Sequence, residues 1–449
     1  MAQAADDPSV SYEQRLLELE TELQALRSER QVSEPRPSAT DGQDVQQAGY
    51  ASFLEQNGAT QQWRPPAVPQ FFTRTEYPTV NWSGFLQLDN GDIVQDETNE
   101  ATVGTIEPQF GLRRVRLRAF GDIREHTHYV VDLDFAASGH PSFRDVYLGF
   151  RSVPYVQNAA LGYYKQPFGM DAESSGQELL FMERQPPFAF APFRQTGMGV
   201  NGTGHNERLT YRASFYAFPT DSFGVSAGDG MATSARITGL PYLDEERGRL
   251  MHLGVGYGIG DPSDSMVRYA IEPSFFVTDP ATDDGSSVPV FVDTGDIPTR
   301  LFQLLNFELA GAAGPIRWQA ETRFAFVDQI GGPGLAFSGS YFQIGWVLTG
   351  ERPEYDRRRA IFHRVVPDEE FDFGPSGCGA WELAAGWSVI DLDNRNVAGG
   401  KMSAWTFGLN WYMSEYTRFM LNCSPVFLDD ATFGRSRASV IATRFQAAF

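Results

Sequence analysis

The chain has 449 residues, of which 42% are hydrophobic, so it is too apolar to be disordered and long enough for one large domain or two to three ordinary ones. It contains no run of about 18 consecutive apolar residues, which excludes a membrane-spanning helix. The formal net charge of −21 makes it a poor candidate for binding nucleic acid, because that role needs a basic surface.

The first predicted element is a helix over residues 12–30. Its apolar positions are spaced by four, three, four and three residues: Tyr12, Leu16, Leu19, Leu23 and Leu26. This is the heptad spacing of a coiled coil, and two heptads are marginal unless several copies are brought together. We predict that residues 1–31 form a short coiled coil in the periplasm. A short amphipathic helix that packs on nothing in particular is the alternative.

Residues 32–80 are predicted to be a linker. Pro, Gln, Ser and Asp dominate this stretch, and Arg64-Pro65-Pro66 excludes regular structure there. At the start of the chain, Ala2-Gln3-Ala4 resembles the end of a signal-peptide cleavage site. We therefore expect the sequence to be a mature form or to begin at a mis-assigned start.

From residue 81 to residue 449 the hydrophobic period becomes two, which is the period of β-strands. One face of a typical strand is apolar: Trp318, Ala320, Thr322, Phe324 and Phe326. The other face is polar: Arg317, Gln319, Glu321 and Arg323. A dry core would not accept those charges, whereas a wet barrel lumen would. This pattern favours an all-β, transmembrane antiparallel β-barrel over the alternative, a soluble array of β-sandwiches.

About seventeen candidate strands can be counted in this region. A bacterial barrel of this kind needs an even number of strands, with both chain ends in the periplasm. We therefore predict about sixteen strands, enough for an aqueous channel, and discard residues 234–238, which are short and followed by Gly239 and Pro241. The expected location is the outer membrane of a Gram-negative-type envelope, in contact with its lipid.

The last predicted strand ends on an aromatic residue. Its apolar face consists of Ile441, Thr443, Phe445, Ala447 and Phe449. A terminal Phe on an alternating amphipathic strand is typical of barrels that insert into the outer membrane, and it is the most specific local signal in the chain.

Several short blocks, in order along the chain, resemble the phosphate-selective porin O and P family. They are Arg113-Arg114-Val115-Arg116, Gly162-Tyr163-Tyr164-Lys165-Gln166-Pro167-Phe168-Gly169, Glu183-Arg184, Leu348-Thr349-Gly350-Glu351, Gly379-Ala380-Trp381-Glu382-Leu383-Ala384-Ala385 with Asp391-Leu392, and Gly408-Leu409-Asn410-Trp411-Tyr412. The resemblance implies a sixteen-stranded homotrimeric porin that passes anions and binds phosphate-type anions at a constriction. Residues 166–195 would be the loop that forms this constriction.

The candidate pore-lining and anion-binding residues are basic: Arg114, Arg116, Arg118, Lys165, Arg184, Arg194, Arg317 and Arg323. Arginine offers a fork of donors that matches phosphate oxygens. Arg114, Arg116 and Arg118 alternate along one strand and are predicted to point inward together. The competing interpretation is that they pair with lumenal acids such as Asp132, Asp134 or Glu382 and only brace the wall.

Two features weigh against phosphate specificity. Lys165 and Lys401 are the only lysines, and residues 81–449 carry a net charge of −15. A non-selective general porin and a structural envelope barrel without an open channel therefore remain alternatives. No enzyme activity, cofactor or metal is predicted, because the chain has no CxxC pair and no glycine-rich nucleotide loop followed by a helix. The predicted partners are small anions or other hydrophilic solutes.

Overall fold

Sixteen long antiparallel strands form one closed sheet, as the sequence predicts, in the computed structural model of the protein. They are β1 Asn81–Gln95, β2 Gln109–Arg124, β3 Thr127–Asp134, β4 Ser142–Val153, β5 Gln157–Lys165, β6 Arg194–Gly204, β7 Leu209–Ala217, β8 Met231–Asp244, β9 Arg249–Asp261, β10 Ile297–Ala313, β11 Ile316–Gln329, β12 Leu335–Val347, β13 Ala380–Asn394, β14 Val397–Tyr412, β15 Thr417–Asp430 and β16 Gly434–Ala448. Each strand pairs with the next along the chain. β16 also pairs with β1, with Ala448 opposite Phe85, and this closes the barrel.

The structure describes residues 77–136, 141–226, 228–278, 286–373 and 377–449. The predicted coiled coil and nearly all of the predicted linker lie outside these residues. Among the described residues, no helix is long and apolar enough to cross a membrane. The helices there are short: α1 is Glu97–Val103, α2 is Met170–Glu173, and Pro186–Phe190 forms a 3₁₀ turn.

The predicted alternation holds along the strands. On β11 the inward side chains of Arg317, Glu321 and Arg323 are buried, whereas Phe326 on the outward face is exposed. Aromatic side chains on other strands, such as Trp405 of β14, are exposed on the outer surface in the same way. An apolar outer face is stable only against lipid, and a polar inner face only where its charges find water or partners.

The segment that we discarded as a strand, residues 234–238, is the middle of β8. The discard was wrong because Gly239 and Pro241 do not end this strand. The pairing between β8 and β9 shifts register between Gly239 and Tyr242, which marks a bulge. A bulge leaves a backbone N–H without a ladder partner, so proline is tolerated there.

The two rims of the barrel differ in what folds back into the lumen. We call the rim that holds the start of β1 and the end of β16 the terminal rim, and the opposite one the loop rim. From the loop rim, residues 166–193, here called the lumen loop, join β5 to β6 and enter the barrel. From the terminal rim, residues 348–379, here called the terminal-rim segment, join β12 to β13, and Arg364 of this segment contacts Glu178 of the lumen loop.

Much of the lumen on the loop-rim side is packed with apolar side chains. Phe168, Met182 and Phe190 of the lumen loop are at most 1% exposed. They belong to one cluster with inward residues of the wall, such as Phe302 and Phe337. This packing fixes the lumen loop inside the barrel and leaves only part of the cross-section available to water.

Candidate functional site

The lumen loop is tied to the wall by one acidic residue, Glu183. Its carboxylate oxygens lie 3.0 Å from Nε of Arg113, 2.7 Å from Nη2 of Arg114 and 2.6 Å from Nη2 of Arg444. Burial raises the pKa of Glu183, but the three arginines outweigh it and hold that pKa well below its usual range. Glu183 therefore stays charged and anchors the loop across β2 and β16.

Arg113 was missed by the sequence analysis because strict alternation places it on the lipid face. Between β1 and β2 the register shifts, so that Gln87 pairs with Arg114 while Leu88 pairs with Leu112. The bulge turns Arg113 inward, where its guanidinium reaches Glu183. Bulges often re-aim a side chain in this way, and nothing in the local sequence marks this one.

Five of the eight predicted site residues are in ion pairs. The pairs are Arg114 with Glu183, Arg116 with Asp134 at 3.1 Å, Arg194 with Asp145 at 3.1 Å, Arg317 with Glu382 at 2.9 Å and Arg323 with Glu321 at 2.8 Å. The competing interpretation, that wall arginines pair with lumenal acids, thus describes most of the set.

Arg317 and Arg323 act as struts between the wall and the inserted segments. Arg317 Nη1 donates a 2.7 Å hydrogen bond to the His363 carbonyl of the terminal-rim segment. Arg323 Nη1 donates to the Pro187 carbonyl of the lumen loop at 3.2 Å. Both side chains are buried, so the structure places them away from lumenal water.

The other three candidates, Arg118, Lys165 and Arg184, have no carboxylate oxygen within 4 Å among the described residues. Lys165 Nζ donates to the carbonyls of Glu173 and Ser174 at 3.0 and 2.7 Å. Arg184 donates to backbone carbonyls of the same α2 turn, from Nε to Asp171 at 3.0 Å and from Nη2 to Ser174 at 2.5 Å.

These carbonyls satisfy the donors of Lys165 and Arg184 without cancelling their charge. A carbonyl oxygen carries only a partial negative charge, and the end of a short helix adds a small favourable dipole. Burial lowers the pKa of Arg184 to about 9, with the neighbouring cations Arg114 and Arg194 acting in the same direction and the carboxylate of Asp171 against them. Two basic side chains, Lys165 and Arg184, therefore converge on the carbonyls of one turn.

Water reaches one side of the lumen more than the other. On β4 and β7 the side chains of Arg144 and Arg212 keep 28% and 23% of their surface exposed. On β8, β11 and β16 the paired arginines Arg236, Arg323 and Arg444 have none. The half-buried Arg118, Lys165 and Arg184 lie on or face the wet side. The partly exposed basic side chains thus lie on β2, β4, β5 and β7 and, with Arg184, on the lumen loop itself.

Within the described ranges, no group of three or more His, Cys, Asp or Glu side chains could hold a metal ion. His126 lies in the turn between β2 and β3, and His128 lies within β3.

A closed sixteen-stranded barrel, with an apolar outer face and a loop folded into a charged lumen, is the architecture of an outer-membrane porin. Residues 80–449 match the family model described as "Phosphate-selective porin O and P", and the chain belongs to that family. The protein is thus an outer-membrane porin, as the resemblance implied.

Individual relatives are distant. Porin O of Pseudomonas aeruginosa is 25% identical over 295 residues, which cover 60% of this chain and 64% of Porin O. An uncharacterized protein of Caulobacter vibrioides is 25% identical over 384 residues, covering 80% and 73%. Among solved structures, the trimer form of the outer membrane protein OmpT of Vibrio cholerae is similar in fold, with a TM-score of 0.50, 11% identity and coverage of 83% of this chain and 99% of OmpT.

Proposed function

We propose that this porin passes small anions in preference to cations, and that Arg118, Lys165 and Arg184 line the selective part of the path. The observation that carries the proposal is the way Lys165 and Arg184 are held. Backbone carbonyls, not carboxylates, accept their hydrogen bonds, so no carboxylate within 4 Å balances either side chain. An anion entering this region gains charge-assisted hydrogen bonds that a cation cannot form.

The net charge of −15 on the barrel segment does not contradict this proposal. Seven acids of the described lumen are engaged by arginines: Asp89, Asp134, Asp145, Glu183, Glu308, Glu321 and Glu382. Because each of these carboxylates is already paired with an arginine, it exerts little electrostatic force on a passing solute. The selectivity of the path follows from the unpaired groups at its narrow part and not from the total charge.

Phosphate is the anion that we propose to be bound, on the strength of the family description. With only two lysines in the chain, arginine would supply most of the contacts. Its planar fork suits the oxygens of phosphate and also those of carboxylates. A non-selective porin is the competing function within the same fold, and a closed structural barrel is a second.

Single-channel recording of the purified protein in a planar bilayer tests the proposal. Under a tenfold gradient of potassium chloride, we expect a reversal potential of the sign that anion permeation gives, and a chloride current that added inorganic phosphate reduces. A reversal potential of the opposite sign or near zero would leave a porin without anion preference. The absence of any channel would favour the structural barrel.

We further propose that the porin is a homotrimer with its N-terminus in the periplasm. The proposed organisation is a coiled coil over residues 1–31, a linker over 32–80 and the barrel over 81–449. The support is the heptad spacing in the first segment, together with the trimer form described for OmpT. The barrel places residue 81 and residue 449 at the same rim, which is consistent with a single periplasmic side.

A further inference from the structure

One aromatic side chain lies among the cations of the proposed anion path. Phe193 is the last residue of the lumen loop before β6. The centre of its ring is 4.6 Å from Cζ of Arg194, 5.2 Å from Cζ of Arg184 and 5.7 Å from Nζ of Lys165. Cation–π contacts usually occur about once in 70–80 residues, so three of them at a single ring are unusual.

The backbone of Phe193 is held in a conformation that its side chain disfavours. Its φ angle is +47°, in the left-handed region, where residues with a bulky side chain are rare. The chain is fixed there by a 2.6 Å hydrogen bond from the Gln166 amide to the Phe193 carbonyl, which closes the base of the lumen loop. Unusual conformations of this kind persist where the surroundings demand a particular side-chain direction.

The ring gathers positive charge without neutralising it. The face of an aromatic ring attracts cations through its quadrupole, yet it carries no net charge. A carboxylate at this point would bring the same three cations together and cancel one of them. Phe193 thus keeps Lys165 and Arg184 close to Arg194, whose charge Asp145 balances, and places no carboxylate among the three.

A second observation points to a ligand at this place. Arg194 is 5% exposed, and its Nε and Nη2 donate to Asp145 at 3.1 and 3.2 Å. Its Nη1 is buried and has no hydrogen-bond partner among the described residues. Buried donors of this kind are rarely left unpaired, because their desolvation is costly. An anion oxygen beside Lys165 and Arg184 would satisfy this donor.

We infer that Phe193 is a positioning residue for anion binding. The ring holds the three cations in one cluster, whose ligand is a small oxyanion such as inorganic phosphate. This inference rests on the proposed anion preference and adds the residue that organises the site. Without the ring, Lys165 and Arg184 are expected to move toward the nearby carboxylates of Glu173 and Asp145, and the cluster loses affinity for the anion.

The test compares Phe193→Leu, which keeps an apolar side chain but removes the quadrupole, with Phe193→Trp, which restores it. The measurement is the concentration of inorganic phosphate that halves the chloride current of the full-length protein. We expect roughly three- to tenfold weaker block in Phe193→Leu, from the loss of two or three cation–π contacts. Phe193→Trp should return block to near the wild-type value, and conductance in concentrated potassium chloride should stay the same in all three.

Phe407→Leu, the same change on the lipid face of β14, is the matched control and should behave as wild type. Equal phosphate block in wild type and Phe193→Leu would overturn the inference. So would a loss in Phe193→Leu that Phe193→Trp does not reverse, because packing would then explain the effect. If wild-type channels lack both anion preference and phosphate block, the proposed function itself is refuted. The role of Phe193 is refuted only by the comparison of its variants with a wild type that phosphate does block.

Discussion

The arginines of the lumen fall into two groups that differ in what accepts their hydrogen bonds. Two of those that face carboxylates, Arg236 with Glu308 and Arg444 with Asp89, have side chains with no exposed surface. Such buried pairs are costly to break, since one charge would be left without a partner. Lys165 and Arg184, which face carbonyls, keep partial access to water. We attribute structure to the first group and selectivity to the second.

At the residue scale, we predict that Lys165→Gln and Arg184→Gln each shift the reversal potential toward zero and weaken phosphate block. Each removes one uncancelled positive charge, while glutamine can still donate to the same carbonyls. The matched control is Lys401→Gln, which removes the only other lysine. Lys401 lies on β14, pairs with Asp391 at 2.8 Å and is 48% exposed, so its loss should leave selectivity unchanged. Equal shifts in all three variants would indicate a general charge effect.

Glu183→Gln should act in the opposite direction. It removes the carboxylate that neutralises Arg113 and Arg114, whereas Arg444 keeps Asp89. We expect stronger anion preference together with lower thermal stability, because breaking a buried ion pair costs about 3–5 kcal/mol.

The measurements for Glu183→Gln are the reversal potential and the unfolding temperature in detergent. Asp328→Asn serves as the control, since its carboxylate is half exposed and pairs only at the surface with Arg300. A stable Glu183→Gln barrel with unchanged selectivity would contradict the anchoring role.

At the scale of elements, one acidic residue of the lumen loop, Glu178, binds the terminal-rim segment. Glu178 of the lumen loop accepts from the Arg364 backbone N–H at 2.6 Å and from its Nη1 at 2.8 Å. In addition, His363 Nδ1 lies 3.6 Å from Glu178, and His363 Nε2 lies 3.8 Å from Asp356. The two inserted elements, which enter from opposite rims, are therefore held together by charge.

This contact predicts a pH dependence. Burial lowers the pKa of His363, but the carboxylates of Asp356 and Glu178 outweigh it and raise that pKa to about 9. A raised pKa means that protonation stabilises the contact. The stabilisation of this contact is complete below about pH 6.5, which is the ordinary pKa of histidine. It is lost as the pH rises through about 9, the pKa of His363 in the folded protein. Arg364 keeps its charge throughout that range.

We expect larger fluctuations of the open-channel current in wild type above pH 9 than at pH 6, because the terminal-rim segment is then held less firmly. His363→Gln should show these fluctuations at both pH values. His205→Gln, in the exposed turn between β6 and β7, is the matched control and should follow wild type. Current noise that does not change with pH in wild type would contradict the prediction.

For the whole molecule, the closed sheet explains why so acidic a chain is a membrane protein. Its apolar residues alternate outward on all sixteen strands, and closure leaves no unpaired strand edge. We propose that the barrel assembles into a homotrimer, on the basis of the heptad spacing of residues 12–30 and the trimer form of OmpT.

We predict that deleting residues 1–40 lowers the temperature at which the trimer dissociates in detergent, since three short helices would lose their mutual contacts. Light scattering during heating measures this. Deletion of residues 41–60 from the linker is the control and should leave dissociation unchanged. An unaltered trimer after the first deletion would show that the helix is dispensable, and a monomeric wild type would rule out the proposed assembly.

The sequence by itself determined the barrel. Alternation with period two and charges on the inner face follow from local side-chain chemistry, because each strand must satisfy lipid on one side and water or partners on the other. The inward direction of Arg317 and Arg323 was predictable for the same reason. The number of strands followed from the need for an even count, although the choice of residues 234–238 as the false strand was wrong.

Only the tertiary structure decided which lumenal charges are free. Glu183 lies in the lumen loop and Lys165 directly before it, and the sequence does not show which partners either charge takes. Their partners are Arg444, 261 positions away along the chain, and the carbonyl of Ser174, nine positions away. Ion pairing depends on distances of a few ångströms between segments that closure and loop insertion bring together. Local patterns contain no information on those distances, so the distinction between cations paired with carboxylates and cations bound to carbonyls appears only in the folded barrel.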